Sequence, residues 1–333
     1  MNTFGNILLA LLPSFLQVPL RRMLGQKIGT GSKVRFGTLL LAKQVQLGDG
    51  VSIGPFCYVK AESLILGDYS CIKALSIVST RIVRFGKYVH IAPLAIITSE
   101  FTEHSIIEIG DHSRVFPYSW LDTGEGIRIG KQSSVGTHTL IYTHGTWADY
   151  LNGAPIAYGP VTIEDHVWIP TRVTILPNVV IGEHSIIGAS SLINKSVPKN
   201  VLIAGTPARI IRENITSNLD TAQKLDRARE ILKAFSNYIN YKRKLHASMT
   251  GDLLDGGQFR IALDNAESLK QGDLLMLVNK NLTTEEEQNL MKQGISVISH
   301  NQKTVRLAVQ RDVYTDFIAY LRRYGIRLYI FNS

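Results

Sequence analysis

The sequence predicts a mainly-β protein: a parallel β-helix of triangular coils, followed by a helix and a small α/β domain. Two observations carry this. First, an aliphatic residue returns every six positions through Ile163, Ile169, Ile175, Ile181, Ile187 and Ile193. Second, four residues after each stands a small or β-branched one: Val167, Val173, Val179, Ser185, Ser191 and Val197. No helix has this period, and a plain strand alternates every two residues. Three short strands, each followed by a corner, close one coil, and the aliphatic residue points inward to stack on its counterparts above and below. Each buried aliphatic side chain contributes roughly 1.5–3 kcal/mol, so the column is a continuous core.

The rhythm starts much earlier. Leu47, Ile53 and Val59 form one triplet, followed by Leu66, Ile72 and Val78, then Phe85, Ile91 and Ile97. Ile109, Val115 and Leu121 come next, then Ile129, Val135 and Ile141. Glycine often follows the aliphatic position, as at Gly48, Gly67, Gly86, Gly130, Gly136 and Gly188, where a tight corner is expected to favour a residue lacking Cβ. Two insertions break the pattern, Ser99–Glu108 and the longer Thr143–Pro160. Long loops on a rigid scaffold tend to carry function. The second holds His144, Trp147, Asp149, Tyr150, Asn152 and Tyr158, a polar and aromatic mixture suited to gripping a sugar.

The formal net charge of +9 is dispersed, with no basic stripe interleaved with aromatics, so nucleic acid is not an expected partner. Cys57 and Cys71 have no metal-ligand spacing and fall within coils; reduced thiols suit a cytoplasmic protein. Before the first acid, Asp49, stand Arg21, Arg22, Lys27, Lys33, Arg35 and Lys43. The apolar run Ile7–Leu20, interrupted by Pro13 and Pro19, is too short to span a bilayer. Either a segment lying on anionic lipid or a helix capping the open end of the coil fits residues 1–27.

Three segments are more specific than the repeat: IYTH (Ile141–His144), VTIEDHVWIP (Val161–Pro170) and AGTPARIIR (Ala204–Arg212). In this order, with the entry LLPSFLQVPLRRMLGQKIG, they resemble the left-handed β-helix (hexapeptide-repeat) sugar O-acetyltransferases typified by maltose, galactoside and colanic-acid acetyltransferases, over roughly Leu12 to Glu213. The resemblance implies transfer of an acetyl group from acetyl-CoA to a sugar hydroxyl, in a homotrimer with active sites at the subunit clefts. His144 matches the family's general base. Independently, a sugar hydroxyl is a poor nucleophile, and a neutral imidazole suits removal of its proton. Asp122 and Glu125, on the preceding coil, could orient the imidazole or the acceptor, or be solvated turn residues. Asp122, Tyr142, Trp147 and Asp149 are the candidate acceptor-binding residues.

The same resemblance places the donor site. Trp168 and Thr171 match positions near CoA, Gly188 and Ala189 a narrow strip for pantetheine, and Asn194 and Lys195 the family's Thr-Lys pair. Arg209 and Arg212 match arginines facing nucleotide phosphates, where guanidinium forks hold well. Pro170 departs from the family glycine and Asn194 from its threonine, which puts the acyl length in doubt. His112, His166 and His184 share a register and could stack along one edge, but no metal is expected.

After Arg212 the pattern changes. Thr216–Leu245 reads as a helix with Ser217 or Asn218 as N-cap, a linker over 214–250, and the Gly-rich break Gly251–Gly257 opens an α/β domain over 251–333. Strands are expected at Phe259–Leu263, Leu274–Val278, Ile295–Ile298, Val305–Val309 and Ile326–Phe331, and helices at Thr283–Gln293 and Asp312–Tyr324. The alternatives to O-acetylation are N-acetylation of a nucleotide-linked amino sugar, or a non-catalytic trimeric scaffold in envelope polysaccharide assembly.

Overall fold

A computed structural model describes residues 3–145 and 149–331. It divides into two compact units, 1–216 and 217–333.

The first unit is the expected left-handed parallel β-helix. Face one runs through the strands Ile106–Ile109, Ile127–Ile129, Val161–Ile163 and Val180–Ile181, each parallel to the next. Face two runs through His90–Ile91, Arg114–Val115, Ser134–Val135, Trp168–Ile169 and Ile186–Ile187. Face three runs through Ile96–Thr98, Trp120–Asp122, Leu140–Ile141, Thr174–Ile175 and Leu192–Ile193. The aliphatic triplets read from the sequence all lie in one core, from Ile28 to Ala208.

The corners do require a residue lacking Cβ at the expected glycines, for a steric reason. Glycines such as Gly67, Gly86 and Gly136 do not adopt positive φ; the residue two places later does, including Tyr69 (58°), Tyr88 (58°) and His138 (57°). The glycine is required instead because the next coil passes close by. A Cβ on Gly67 would sit 2.6 Å from the Gly86 carbonyl carbon, and one on Gly136 would overlap the Pro170 carbonyl. The left-handed corner is taken by Tyr, His, Gln and Asn, whose side chains form a ladder along one edge: Tyr69 stacks on Tyr88 at 5.1 Å, and Tyr88 on His112 at 4.7 Å.

Within residues 1–27, the described residues from Thr3 to Met23 form a helical cap. Helix α1 (Thr3–Ala10) and helix α2 (Ser14–Met23) close the first coil: the Ala10 carbonyl accepts from Gly37 N at 2.7 Å, and Ser14 Oγ accepts from Val34 N at 3.2 Å. Arg21 is fully buried beneath them, donating to Gln17 Oε1 at 3.2 Å and Asn6 Oδ1 at 3.4 Å, and burial lowers its pKa to about 10. The other side of the cap is apolar and open: Phe4, Leu8, Leu11, Phe15 and Met23 are more than half exposed.

The second unit is a seven-stranded mixed sheet whose strands lie side by side in chain order. Its centre is parallel, through Arg260–Leu263, Leu274–Leu277 and Ser296–Ser299. Helix α3 (Thr221–Arg243) and helix α5 (Asp312–Leu321) cover one face through Phe235, Ile239, Phe317 and Leu321; helix α4 (Thr284–Lys292) covers the other against Leu275, Leu277 and Val297. This corrects the linker assigned to 214–250. Helix α3 supplies Leu232, Phe235 and Ile239 to this unit's core, and it is capped by Asp220 with Gln223, not by Ser217 or Asn218. Two strands were not expected here: Ser248–Thr250, just before the Gly-rich segment, and Leu253–Asp255 within it.

Substituting Gly136→Ala is expected to destabilise the first unit by about 2 kcal/mol, because the backbone of the neighbouring coil cannot withdraw as a side chain could. A chemical-denaturation midpoint equal to that of the parent chain would show that the coils can part at this point.

Candidate active site

The insertion Thr143–Pro160 leaves the coil where face three ends and rejoins where face one begins, so it stands on the corner between them. It is a hairpin at its base: His144–Gly145 pairs antiparallel with Ala157–Tyr158. Asn178, from the next coil, donates from Nδ2 to the Tyr158 carbonyl at 2.7 Å and fixes the returning strand. The Tyr158 ring lies 6.2 Å from the His144 ring, tilted by only 19°.

Asp122 sits beneath this base and is buried. Its Oδ2 accepts from Thr143 N at 3.0 Å and from Thr143 Oγ1 at 2.9 Å, and lies 2.7 Å from His144 Nδ1. Its Oδ1 accepts from Gly124 N at 3.1 Å. A carboxylate saturated by donors is a rigid acceptor, and the fourth of them is the Nδ1–H of His144. That places the proton on Nδ1 and leaves Nε2 with a free lone pair, on a ring that is half exposed. Thr143 Oγ1 also accepts from Glu125 N at 3.0 Å, so it bridges two successive coils. Below, Thr123 Oγ1 lies 2.8 Å from Thr80 Oγ1 and 3.0 Å from Ser99 Oγ, a hydroxyl cluster in which each oxygen is within hydrogen-bond reach of the others.

Face two lies opposite that corner and carries a different surface. The register aligns Cys71, His90, Arg114, Ser134, Trp168, Ile186, Leu202 and Arg212 in one outward row. Trp168 is 56% exposed at its middle, and Arg212 ends it on the antiparallel strand Ala208–Glu213. Arg209 faces Ala204 in the same hairpin, and its guanidinium donates to the Ala208 carbonyl at 2.9 Å. Gly188 lets Ala204 pack where a Cβ would stand. This is a shallow strip with an aromatic platform and two guanidinium groups at one end.

Residues 160–195 match the family described as bacterial transferase hexapeptide (six repeats). A galactoside O-acetyltransferase of Escherichia coli K12 is 32% identical over 129 residues, covering 32% of this chain and 63% of that protein, just under two thirds of its length. A putative colanic acid biosynthesis acetyltransferase of the same organism is 28% identical over 142 residues, covering 40% and 70%. Among solved structures, a hexapeptide-repeat-containing acetyltransferase of Vibrio cholerae is 32% identical, covering 40% of this chain and 72% of that one, with a TM-score of 0.33. Residues 160–195 thus carry the bacterial transferase hexapeptide repeat, and the coil around them is similar in sequence to sugar O-acetyltransferases over part of their length.

Within this hexapeptide-repeat chain the expected residues fall into separate groups. His144 and Asp122 are brought together, and Tyr142 stands beside them, its amide donating to Ile175 O at 2.9 Å. Of the two carboxylates considered, Asp122 holds the imidazole, whereas Glu125 contributes its backbone amide. Trp147 lies outside the described residues. Asp149 caps the short turn Tyr150–Asn152, accepting from Leu151 N at 2.9 Å and from Asn152 Nδ2 at 2.8 Å; both its oxygens serve the loop. Trp168, Gly188, Ala189, Arg209 and Arg212 belong to face two or its margins. Thr171 sits at the next corner, its Oγ1 donating to Thr137 O at 2.9 Å, while Asn194 and Lys195 follow the last face-three strand and are exposed. No single chain brings His144 beside Trp168.

Sequence reasoning missed Thr143 and Asn178. The hydroxyl directly before the loop histidine was the available signal for the first; nothing marked the second. His166 and His184 do stack, at 4.6 Å and 7°, and with Glu183 they form one group whose possible ligand atoms lie within 4.8 Å. His112 does not join them, because the intervening coil carries Gln132 at that corner.

On face two, burial lowers the pKa of His90 from 6.5 to about 4, with Arg114 and Lys73 adding to the effect, and burial raises that of Cys71, whose Sγ lies 3.4 Å from His90 Nδ1. Both groups are therefore neutral near pH 7. An NMR titration of the His90 ring is expected to show a midpoint near 4. Since the unfolded chain takes up this proton more readily, stability falls as pH drops from 6.5 towards 4. A midpoint near 6.5 would show that His90 is solvated and contributes charge to the strip.

Proposed function

We propose that this protein transfers an acetyl group from acetyl-CoA to a hydroxyl of a sugar or saccharide intermediate in envelope polysaccharide or lipopolysaccharide biosynthesis. The observation that carries the reading is the Asp122–His144 pair, with Nδ1 at 2.7 Å from the carboxylate, at the mouth of the only long hairpin insertion among the described residues of the coil. The acceptor oxygen attacks the thioester carbon as its proton passes to His144 Nε2. The carbon–sulfur bond then breaks, and the imidazolium returns the proton to the leaving thiolate, giving the acetyl ester and free CoA. Asp122 stabilises the transient imidazolium and keeps the ring in the required tautomer. Neither a covalent intermediate on the enzyme nor a metal is needed for this transfer.

The reading includes assembly. The base stands on the corner opposite the face that carries Trp168 and Arg212, so a complete site needs a second copy whose face two lies against the first copy's hairpin. A threefold ring of triangular prisms offers this geometry at each cleft, and closed rings are the ordinary outcome of head-to-tail contacts. Pantetheine would lie along the strip from Trp168 past Gly188, with the nucleotide phosphates at Arg209 and Arg212 and Lys195 supplying a further charge. The acceptor would sit under the hairpin between His144, Tyr142 and Tyr158.

The protein is also proposed to work at the cytoplasmic side of a membrane. Among the described residues no helix is long and apolar enough to cross one. The open side of the cap combines Phe4, Leu11, Phe15 and Met23 with the exposed cations Arg22, Lys27, Lys33 and Arg35, a surface suited to lying on anionic lipid.

Two outcomes follow. His144→Ala is expected to cut acetyl transfer by about two to four orders of magnitude, and Trp168→Ala to weaken use of acetyl-CoA. Because each would damage a different partner of a shared site, oligomers reassembled from a mixture of the two variants should regain activity that neither has alone. Hydroxyl and amino acceptors assayed side by side separate O- from N-acetylation; full turnover by His144→Ala removes the mechanism, and absence of complementation removes the shared site. For the cap, flotation with vesicles containing phosphatidylglycerol should carry the parent chain and leave behind Phe15→Glu/Met23→Glu. Equal flotation of both, or of neither, assigns the apolar face to another copy of the chain.

A further inference from the structure

The second unit contains a cavity of about 610 Å³, within the range of small-molecule sites, that the acetyl-transfer chemistry does not use. It opens at the carboxyl ends of the parallel strands: Val278 directly follows Leu274–Leu277, and His300 directly follows Ser296–Ser299. Ligands of open α/β sheets bind at such edges, because the strands end there and the loops diverge. The edge is firmly built. Asp264 accepts from Val278 N at 2.7 Å and from Asn279 N at 3.2 Å, and Asn279 Nδ2 donates to the Thr221 carbonyl at 3.0 Å, tying the loop to the start of helix α3.

The lining has two halves. One is apolar, made by Ile231, Met276, Val278 and Ile326, with the half-exposed ring of Tyr324 at its margin. The other is cationic. Lys224 and Arg227 line it from helix α3, and neither forms an ion pair among the described residues. His300 also lines it, with Lys303 Nζ 3.0 Å from its Nε2, and His300 Nδ1 is buried with no hydrogen-bond partner among the described residues. Burial lowers the pKa of His300 and of Lys303, and the neighbouring positive charge of Lys224 lowers that of Lys303 further. Positive groups outnumber anions here. Glu230 is the one carboxylate in the lining; Asp220, adjacent in sequence, is occupied by Gln223 N in the helix cap. Lys224, Arg227 and Lys303 outnumber Glu230 enough to match a group with close to two negative charges, which a phosphate carries near pH 7 and a single carboxylate does not.

We propose that this cavity binds a small organic phosphate, its phosphate held by Lys224, Arg227 and the His300–Lys303 pair, and its flat or apolar body laid against Met276, Val278, Ile326 and Tyr324. Arg227 offers a planar fork to the phosphate oxygens and Lys224 a mobile point charge. The assignment does not depend on acetyl transfer in the first unit.

Calorimetric titration of the full chain with UDP, uridine and inorganic phosphate tests it. UDP is expected to bind at least about tenfold more tightly than uridine or inorganic phosphate. Lys224→Glu/Arg227→Glu, at exposed positions whose exchange leaves the fold intact, should abolish this binding, whereas Arg209→Ala/Arg212→Ala should leave it unchanged. No heat of binding at about 1 mM UDP overturns the proposal. So does uridine or inorganic phosphate binding as tightly as UDP, or binding that survives the first pair of exchanges and is lost with the second.

Discussion

The structure of the first unit depends on one constraint: successive coils stack at the strand spacing of about 4.8 Å, and every residue is held in register with one directly above and one below. The inward aliphatic column supplies the attraction, and the glycines that directly follow it keep the corners from separating the layers. Position along the axis is thereby quantised. A residue that must touch another on the next coil is placed within a fraction of an ångström by the fold itself, without any local device. Asp122 and His144 are neighbours for this reason alone; one coil carries the carboxylate to the corner where the next coil opens its loop.

This explains which parts were legible in advance. The period-six column could be read because burial at one fixed position of each side repeats the same demand many times, and all the triplets named from the sequence are core residues. The corners were harder. Glycine after the aliphatic position marked a corner that excludes Cβ, but steric crowding between coils and left-handed φ are separate demands met two residues apart, and the second, met by Tyr69, His112 or His184, left no such mark. The orienting carboxylate could not be singled out between Asp122 and Glu125, since coils of unequal length blur the register until coordinates fix it. Asp149 looked like an acceptor ligand because a carboxylate on a polar loop has that look; an Asx-type cap has the same composition. Helix α3 read as a linker because its apolar stripe is ordinary for any amphipathic helix, and a stripe does not say which surface it will cover.

The two units hold their charges in opposite ways. Around Asp122 every donor is matched: one carboxylate takes two amides, a hydroxyl and an imidazole N–H, which makes the acceptor rigid and leaves Nε2 of the ring facing outward. Around His300 the positive groups lack such a match, and burial moves His300 and Lys303 towards their neutral forms. A saturated site is preorganised for a proton that must move repeatedly, whereas an unsaturated one gains most when an anion arrives. The same physical rule, that buried charge seeks a partner, therefore underlies both the proposed catalytic pair in one unit and the proposed binding cavity in the other.

The separation of face two from His144 follows from the shape of the coil. In a triangular prism the corner opposite a face is the most distant point of the coil, and an outward loop on that corner reaches farther still. A soluble substrate held on face two could not meet the base of the same chain without unwinding the core that positions both. Yet the same separation becomes contact when prisms stand side by side, because an outward corner of one copy falls against an open face of the next. The hairpin, pinned by Asn178 to the following coil and by its two-residue ladder, is then a fixed projection aimed at a neighbour rather than a flap over its own chain. Rigidity at the loop base and openness of face two are the two features that the proposed shared site draws on, one from each copy.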